Sequence, residues 1–132
     1  SNRWMRIISG NFKGKKILEP KDGLTRPLKD LTKESIFNII QHSNKFKVEI
    51  DGSNVLDLFS GVGSFGLECL SRGSASVTFI ENYKEVITIL KKNISNLSLK
   101  NNSLLIERDI FNNLDFKSFK KKIWHNFFGS AI

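Results

Sequence analysis

Three glycines, Gly61, Gly63 and Gly66, stand two and three residues apart directly after the apolar run Val55-Leu56-Asp57-Leu58-Phe59. A strand that runs into such a loop and out into a helix presents bare backbone, which a ligand can approach without meeting a Cβ. Taken alone, the spacing also fits a dinucleotide site, where the loop receives a pyrophosphate. Asp57, four residues before the first glycine, argues against that reading. A carboxylate there repels phosphate, yet suits S-adenosylmethionine, which has a cationic amine and sulfonium and no phosphate. Glu81 lies twenty residues after Gly61, the interval at which an acid accepts hydrogen bonds from ribose hydroxyls. Asp109 is placed to accept from an adenine amine. Each acid also has a plainer use: Asp57 as a loop brace, Glu81 as a surface residue at a strand end, Asp109 as a helix cap.

Nothing else in the chain spells out a reaction. His42 and His125 have no ligand-like companions, so no metal site is indicated. No Ser/His/Asp or Cys/His arrangement stands out for nucleophilic catalysis. The single cysteine, Cys69, is expected as a small buried residue on the helix after the glycine loop. The chemistry left over is positional: a methyl donor and an acceptor held in line.

The elements that must hold these residues can be read from hydrophobic period and turn signals. Residues 5–18 predict a short hairpin, with strands at Met5–Ile8 and Lys16–Leu18 around a glycine-bearing turn. A loop with both prolines, Pro20 and Pro27, leads to a helix capped by Asp30, its apolar side made by Ile36, Phe37, Ile39 and Ile40. After a polar connection over 41–53, the first core strand is expected over 54–59 and a helix over 64–72 that stops near Gly73. A second strand at Ser76–Ile80 ends on Glu81. The next helix carries Val86, Leu90, Ile94 and Leu97 as an amphipathic stripe, and a third strand covers Leu104–Glu107. Strand–helix–strand–helix–strand is the right-handed parallel half of a doubly wound α/β sheet.

A length of 132 residues fits one domain or part of one, and 39% hydrophobic content with 11 Phe supports a packed core. No apolar run reaches membrane-spanning length, no signal peptide is visible, and one cysteine suits a reducing cytoplasm. The net charge of +8 points to a polyanionic partner. It is concentrated at one end: residues 3–33 hold nine bases against three acids. A basic segment ahead of a cofactor domain looks like a nucleic-acid grip; the alternative is an ordinary lysine-rich surface.

Several segments in the correct order resemble the RsmD family of bacterial methyltransferases, which modify a guanine N2 of small-subunit ribosomal RNA. Met5-Arg6-Ile7-Ile8-Ser9-Gly10 is similar to that family's N-terminal hairpin, and Thr25-Arg26-Pro27 with Glu34-Ser35-Ile36-Phe37-Asn38 to its first helix. Asp57–Gly63 with Gly66-Leu67-Glu68 resembles its cofactor motif, and Ser71-Arg72-Gly73 and Val77–Glu81 extend the match. The resemblance implies a class I S-adenosylmethionine-dependent methyltransferase with a Rossmann-like parallel sheet. Asp57, Phe59, Gly61, Gly63, Glu81 and Asp109 would then contact the cofactor, and Arg6, Lys13, Lys15, Lys16 and Arg26 would contact RNA. It divides the chain into a basic hairpin-and-helix extension (1–50), a partial cofactor domain (51–122) and a tail (123–132). The partner it implies is small-subunit rRNA or an assembly intermediate, bound by a protein that is a cytoplasmic monomer when intact.

The family's fourth strand ends in Asp-Pro-Pro-Tyr or Asn-Pro-Pro-Tyr, which holds the base amine and stacks on a base removed from its helix. The present sequence instead runs from Lys120-Lys121-Lys122 to Ile132 without that motif, so no catalytic residue is assigned. Synonymous codons for the tail can be chosen so that deleting one base from the adenine run of the three lysines gives an apolar strand ending in Asp-Pro-Pro. A one-base insertion is therefore expected, leaving the literal chain poorly folded and inactive. The rival expectations are a non-enzymatic RNA-binding fragment, a nicotinamide-dependent oxidoreductase and a DNA amino-methyltransferase.

Overall fold

In a computed structural model of the chain, the described residues are 4–21, 30–43, 48–108 and Lys121. Their elements, in order, are β1 (Trp4–Arg6), β2 (Lys16–Leu18), α1 (Asp30–His42), β3 (Asn54–Asp57), α2 (Ser64–Ser71), β4 (Ser76–Glu81), α3 (Lys84–Asn96) and β5 (Ser103–Glu107). A 3-10 turn at Lys100–Asn102 leads into the last strand. Asp109, Arg26 and the tail after Lys122 lie outside the described residues.

The parallel sheet has the order β3-β4-β5, with Asp57 beside Phe79 and Glu81 beside Glu107. Each crossover passes through a helix, as parallel pairing requires. β4 has a neighbour on each side, and its residues Val77–Ile80 are buried without a break, the pattern of a central parallel strand. Among the described residues nothing pairs with the free edge of β3.

α2 lies directly on this sheet because Gly66 has no side chain. A Cβ there would run into the Phe79 ring and Val77. The helix stops where a glycine was expected to stop it: Gly73 has φ +103, and the Gly73 and Ser74 N–H groups cap the Leu70 and Cys69 carbonyls. On α3 the expected stripe is buried in full, Val86, Leu90, Ile94 and Leu97 all facing the core. The amphipathic period was sufficient to find that face.

Several boundaries and one helix face differ from expectation; β1 ends at Arg6, two residues short of the expected Ile8. β3 ends at Asp57, two residues early, and Leu58 and Phe59 turn out of the sheet to 41% and 67% exposure. The Ser60 hydroxyl closes this turn by donating to the Asp57 carbonyl at 2.9 Å, while its oxygen accepts the Ile80 N–H at 3.0 Å. Asp30, expected as a cap, is the first residue of α1 itself. On α1 the inward stripe is Lys33, Phe37 and Ile40, at spacings of four and three, and Ile39 is exposed. A lysine replaces the apolar residue that the period calls for.

The expected hairpin forms, its strands paired with Met5 opposite Ile17 and Arg6 opposite Lys16. Its apolar residues Met5, Ile7 and Ile17 join the same core as Phe37, Leu67, Phe79 and Leu90. The basic ribbon is thus packed onto the parallel-sheet part of the chain and does not project from it as an arm.

Candidate functional site

The glycine loop and the two acids meet at the C-terminal ends of β3 and β4, where open α/β sheets bind ligands. The twenty-residue interval closes to one hydrogen bond: Glu81 Oε1 accepts the Gly61 N–H at 3.0 Å. Its other oxygen accepts the Asn82 and Tyr83 N–H groups, each at 3.0 Å. A carboxylate oriented by three backbone donors is a fixed acceptor facing the loop.

Asp57 lies under the same loop. Its Oδ2 is buried and makes no hydrogen bond. Burial pushes its carboxyl up from 3.8 to about 6; N–H groups of Phe59 and Gly66 and the Ser60 hydroxyl oppose this, and the Glu81 charge adds to it. A buried carboxylate oxygen without a partner costs free energy, and a cation beside it would recover that cost. Two carboxylates close enough for the Glu81 charge to act on Asp57 make this a negative site, unfit for pyrophosphate and fit for a cationic ligand with a diol.

The glycines have separate tasks. Gly61, at φ +53, has open space where its Cβ would stand, so the loop's ligand side is clear. Gly63, at φ +96, is pressed against the Leu90 side chain and begins α2. Phe59 stands largely exposed at the rim. The residues present therefore fit S-adenosylmethionine: an orphaned carboxylate oxygen for a positive group, an oriented acid for hydroxyls, and bare backbone between them. Cys69 takes no part; it is buried and its thiol is pushed up to about 12, mainly by burial.

The bases expected to meet RNA, Arg6, Lys13, Lys15 and Lys16, are all exposed on the hairpin. Among the described residues, no group of three or more His, Cys, Asp or Glu is placed to hold a metal.

Sequence reasoning missed the polar residues that fasten the hairpin to this site. Glu68, wholly buried in α2, accepts the Ile8 and Ser9 N–H groups at 2.9 and 3.1 Å. It is ion-paired to Lys33 at 3.1 Å and to Arg72 at 2.8 Å. The Arg72 guanidinium lies 4.3 Å above the Phe37 ring, which stacks on Phe65 at 5.1 Å. At the turn, Ser71 Oγ donates to the Ser9 carbonyl at 2.6 Å and accepts the Phe12 N–H at 2.9 Å. Gly10 is required beside it, because a Cβ would overlap the Ser71 carbonyl. Two signals were available: a glutamate alone among Phe65, Leu67, Cys69 and Leu70, and a lysine in the apolar stripe of α1. A buried charge implies a buried partner.

Comparison with known proteins bears on the family and the fold. A family model described as Conserved hypothetical protein 95 matches residues 5–126. Ribosomal RNA small subunit methyltransferase D of Haemophilus influenzae is 40% identical over 93 residues, which is 70% of this chain and 45% of that protein. The protein of the same name in Escherichia coli K12 is 37% identical over 97 residues, 74% of this chain and 46% of its own length. The solved structure of the Escherichia coli methyltransferase candidate yhhF superposes with a TM-score of 0.70 at 30% identity, covering 86% of this chain and 57% of that one. The chain spans about half the length of the curated relatives it matches.

Proposed function

Because the chain belongs to the RsmD family, we propose that it supplies the cofactor-binding half of an S-adenosylmethionine-dependent methyltransferase acting on small-subunit ribosomal RNA in the cytoplasm. The observation that carries this reading is the pair of carboxylates on the glycine loop, Glu81 bonded to Gly61 and Asp57 left with an unpartnered oxygen. Relatives named as rRNA small subunit methyltransferases support the substrate class.

When bound, S-adenosylmethionine supplies an electrophilic methyl group on a sulfonium. Glu81 accepts from its ribose hydroxyls, Asp57 faces its positive charge, Phe59 borders it, Gly61 lets the backbone come close, and Gly63 packs against Leu90 and so sets the loop that meets the cofactor. Asp109, beyond the described residues, completes the adenine contact. Arg6, Lys13, Lys15 and Lys16 on the hairpin, with Arg26, hold RNA phosphates, which orients the strand without reading its sequence. The acceptor is a guanine amino group. The 132 residues include no Asp-Pro-Pro-Tyr, so holding that amine is assigned to none of them, and by themselves they transfer no methyl group.

The test is methyl transfer from labelled S-adenosylmethionine to small-subunit rRNA, by the 132-residue chain and by a version continued in the frame that encodes Asp-Pro-Pro. Label on a guanine N2 with the continued version alone is the expected result. Label on another atom, or none with either, would refute it.

A further inference from the structure

Both strands of the basic hairpin are tied by side chains to the glycine loop, one on each side of Gly63. Asn93 of α3 is 1% exposed, and its amide is used almost fully. Oδ1 accepts the Leu18 N–H at 2.8 Å, and Nδ2 donates to the Leu18 carbonyl at 3.1 Å and to the Val62 carbonyl at 2.8 Å. The amide thus treats the end of β2 as a paired strand would, and spends its remaining donor on the residue between Gly61 and Gly63. Lys33 repeats the arrangement from the other side. Its ammonium donates to the Arg6 carbonyl on β1 at 3.1 Å and to the Ser64 hydroxyl, at the start of α2, at 3.2 Å.

We propose that Asn93 is a positioning residue for the cofactor loop, with Lys33 as its counterpart, so that the seating of the hairpin sets the conformation of the loop. This rests on the cofactor reading above and extends it to residues that do not line the ligand space. The physical reason is the scarcity of alternatives. A buried carbonyl such as that of Val62 has no water to turn to, so the loop geometry that satisfies it is the one that Asn93 dictates. Asn93 in turn is fixed by Leu18, which offers it both a donor and an acceptor. If the hairpin lifts, Asn93 loses two of its three bonds and the Val62 carbonyl loses a rigid donor. The basic hairpin and the cofactor loop are therefore one mechanical unit.

The direct test needs no substitution. Amide hydrogen exchange of the full chain under rising denaturant separates segments that open together from those that open alone. The Leu18 amide, bonded to Asn93, and the Gly63 amide, bonded to the Ser60 carbonyl at 2.9 Å, are expected to open in one step with protection equal within about threefold. Release of Leu18 at low denaturant while Gly63 stays protected would overturn the proposal. Asn93→Ala supplies the functional arm, with Ile17→Val as a control, since Ile17 is buried in the hairpin and holds no polar group of the loop. Asn93→Ala is expected to speed Gly63 exchange and weaken S-adenosylmethionine binding by at least about tenfold, and Ile17→Val to change neither by more than about twofold. Unchanged binding and Gly63 exchange in Asn93→Ala would reduce Asn93 to a support for the hairpin. If the unmodified chain binds no S-adenosylmethionine, the cofactor reading fails, and the exchange comparison still decides the coupling.

Discussion

Asp57→Asn should make the protein more stable and a poorer binder at neutral pH. The Asp57 carboxyl rises from 3.8 to about 6 on folding, chiefly because burial disfavours its charged form. The folded state therefore holds this proton more tightly than the unfolded chain does. The stability this gives is complete below the unfolded value of 3.8 and is lost as the pH rises through about 6. That shift corresponds to about 3 kcal/mol between the two limits. Asparagine never ionises, so it avoids the loss. Its amide still lacks a partner where Oδ2 now sits, which returns about 1–2 kcal/mol as a cost. The net gain at pH 7.5 is about 1–2 kcal/mol, or about 4–8 °C in melting temperature for a chain of this size. Thermal melts followed by circular dichroism from pH 4 to 8 read this directly. The unsubstituted chain should be more stable than the variant by about 1 kcal/mol at pH 4 and fall below it above pH 6. At pH 7.5 the variant should also bind S-adenosylmethionine at least about tenfold more weakly, since a neutral amide cannot face a cation as a carboxylate does. Parallel stability curves would refute the buried-carboxylate argument. A stabilised variant with undiminished affinity would refute the ligand role.

Three further outcomes follow from the packing and the charge. Lys33→Met removes one of the two cations paired with the buried Glu68 and should cost about 3 kcal/mol in urea unfolding; a loss below about 1 kcal/mol would mean that Arg72 alone satisfies the carboxylate. Gly66→Ala places a methyl against the Phe79 ring and should cost about 1–3 kcal/mol by the same measurement, and a neutral result would show that α2 can lift from β4. Replacing Lys13, Lys15 and Lys16 together should flatten the salt dependence of rRNA binding by about two to three units of slope, one for each phosphate no longer neutralised. An unchanged slope would leave the hairpin as a basic surface only.

The parts of the structure that follow from local rules are legible in the chain. The α3 stripe, the Gly73 stop, the hairpin and the Gly61–Glu81 interval each depend on a short stretch with its own period or turn chemistry. What escapes such rules is set by residues distant in sequence. Ile39 is apolar and so reads as inward, whereas Lys33 takes the inward position because Glu68, thirty-five residues away, needs a cation there. Leu58 and Phe59 read as strand because they continue an apolar run. They leave the sheet because Ser60 closes a turn on Asp57 and holds Ile80. Asn93 falls on the period of the α3 stripe, three residues after Leu90 and four before Leu97, but an asparagine there reads as a polar break in the stripe and says nothing of its partners. Only the fold brings Leu18 and Val62 to it.

The central claim is that the loop between Asp57 and Glu81 takes S-adenosylmethionine, and calorimetry on the full chain and its Glu81→Ala variant tests it most directly. Glu81 is the oriented acceptor of the site, so its loss should weaken S-adenosylmethionine binding by about 1–3 kcal/mol, with NADH bound by neither protein. Equal affinity of the two proteins for S-adenosylmethionine, or tighter binding of NADH than of S-adenosylmethionine, would contradict the account.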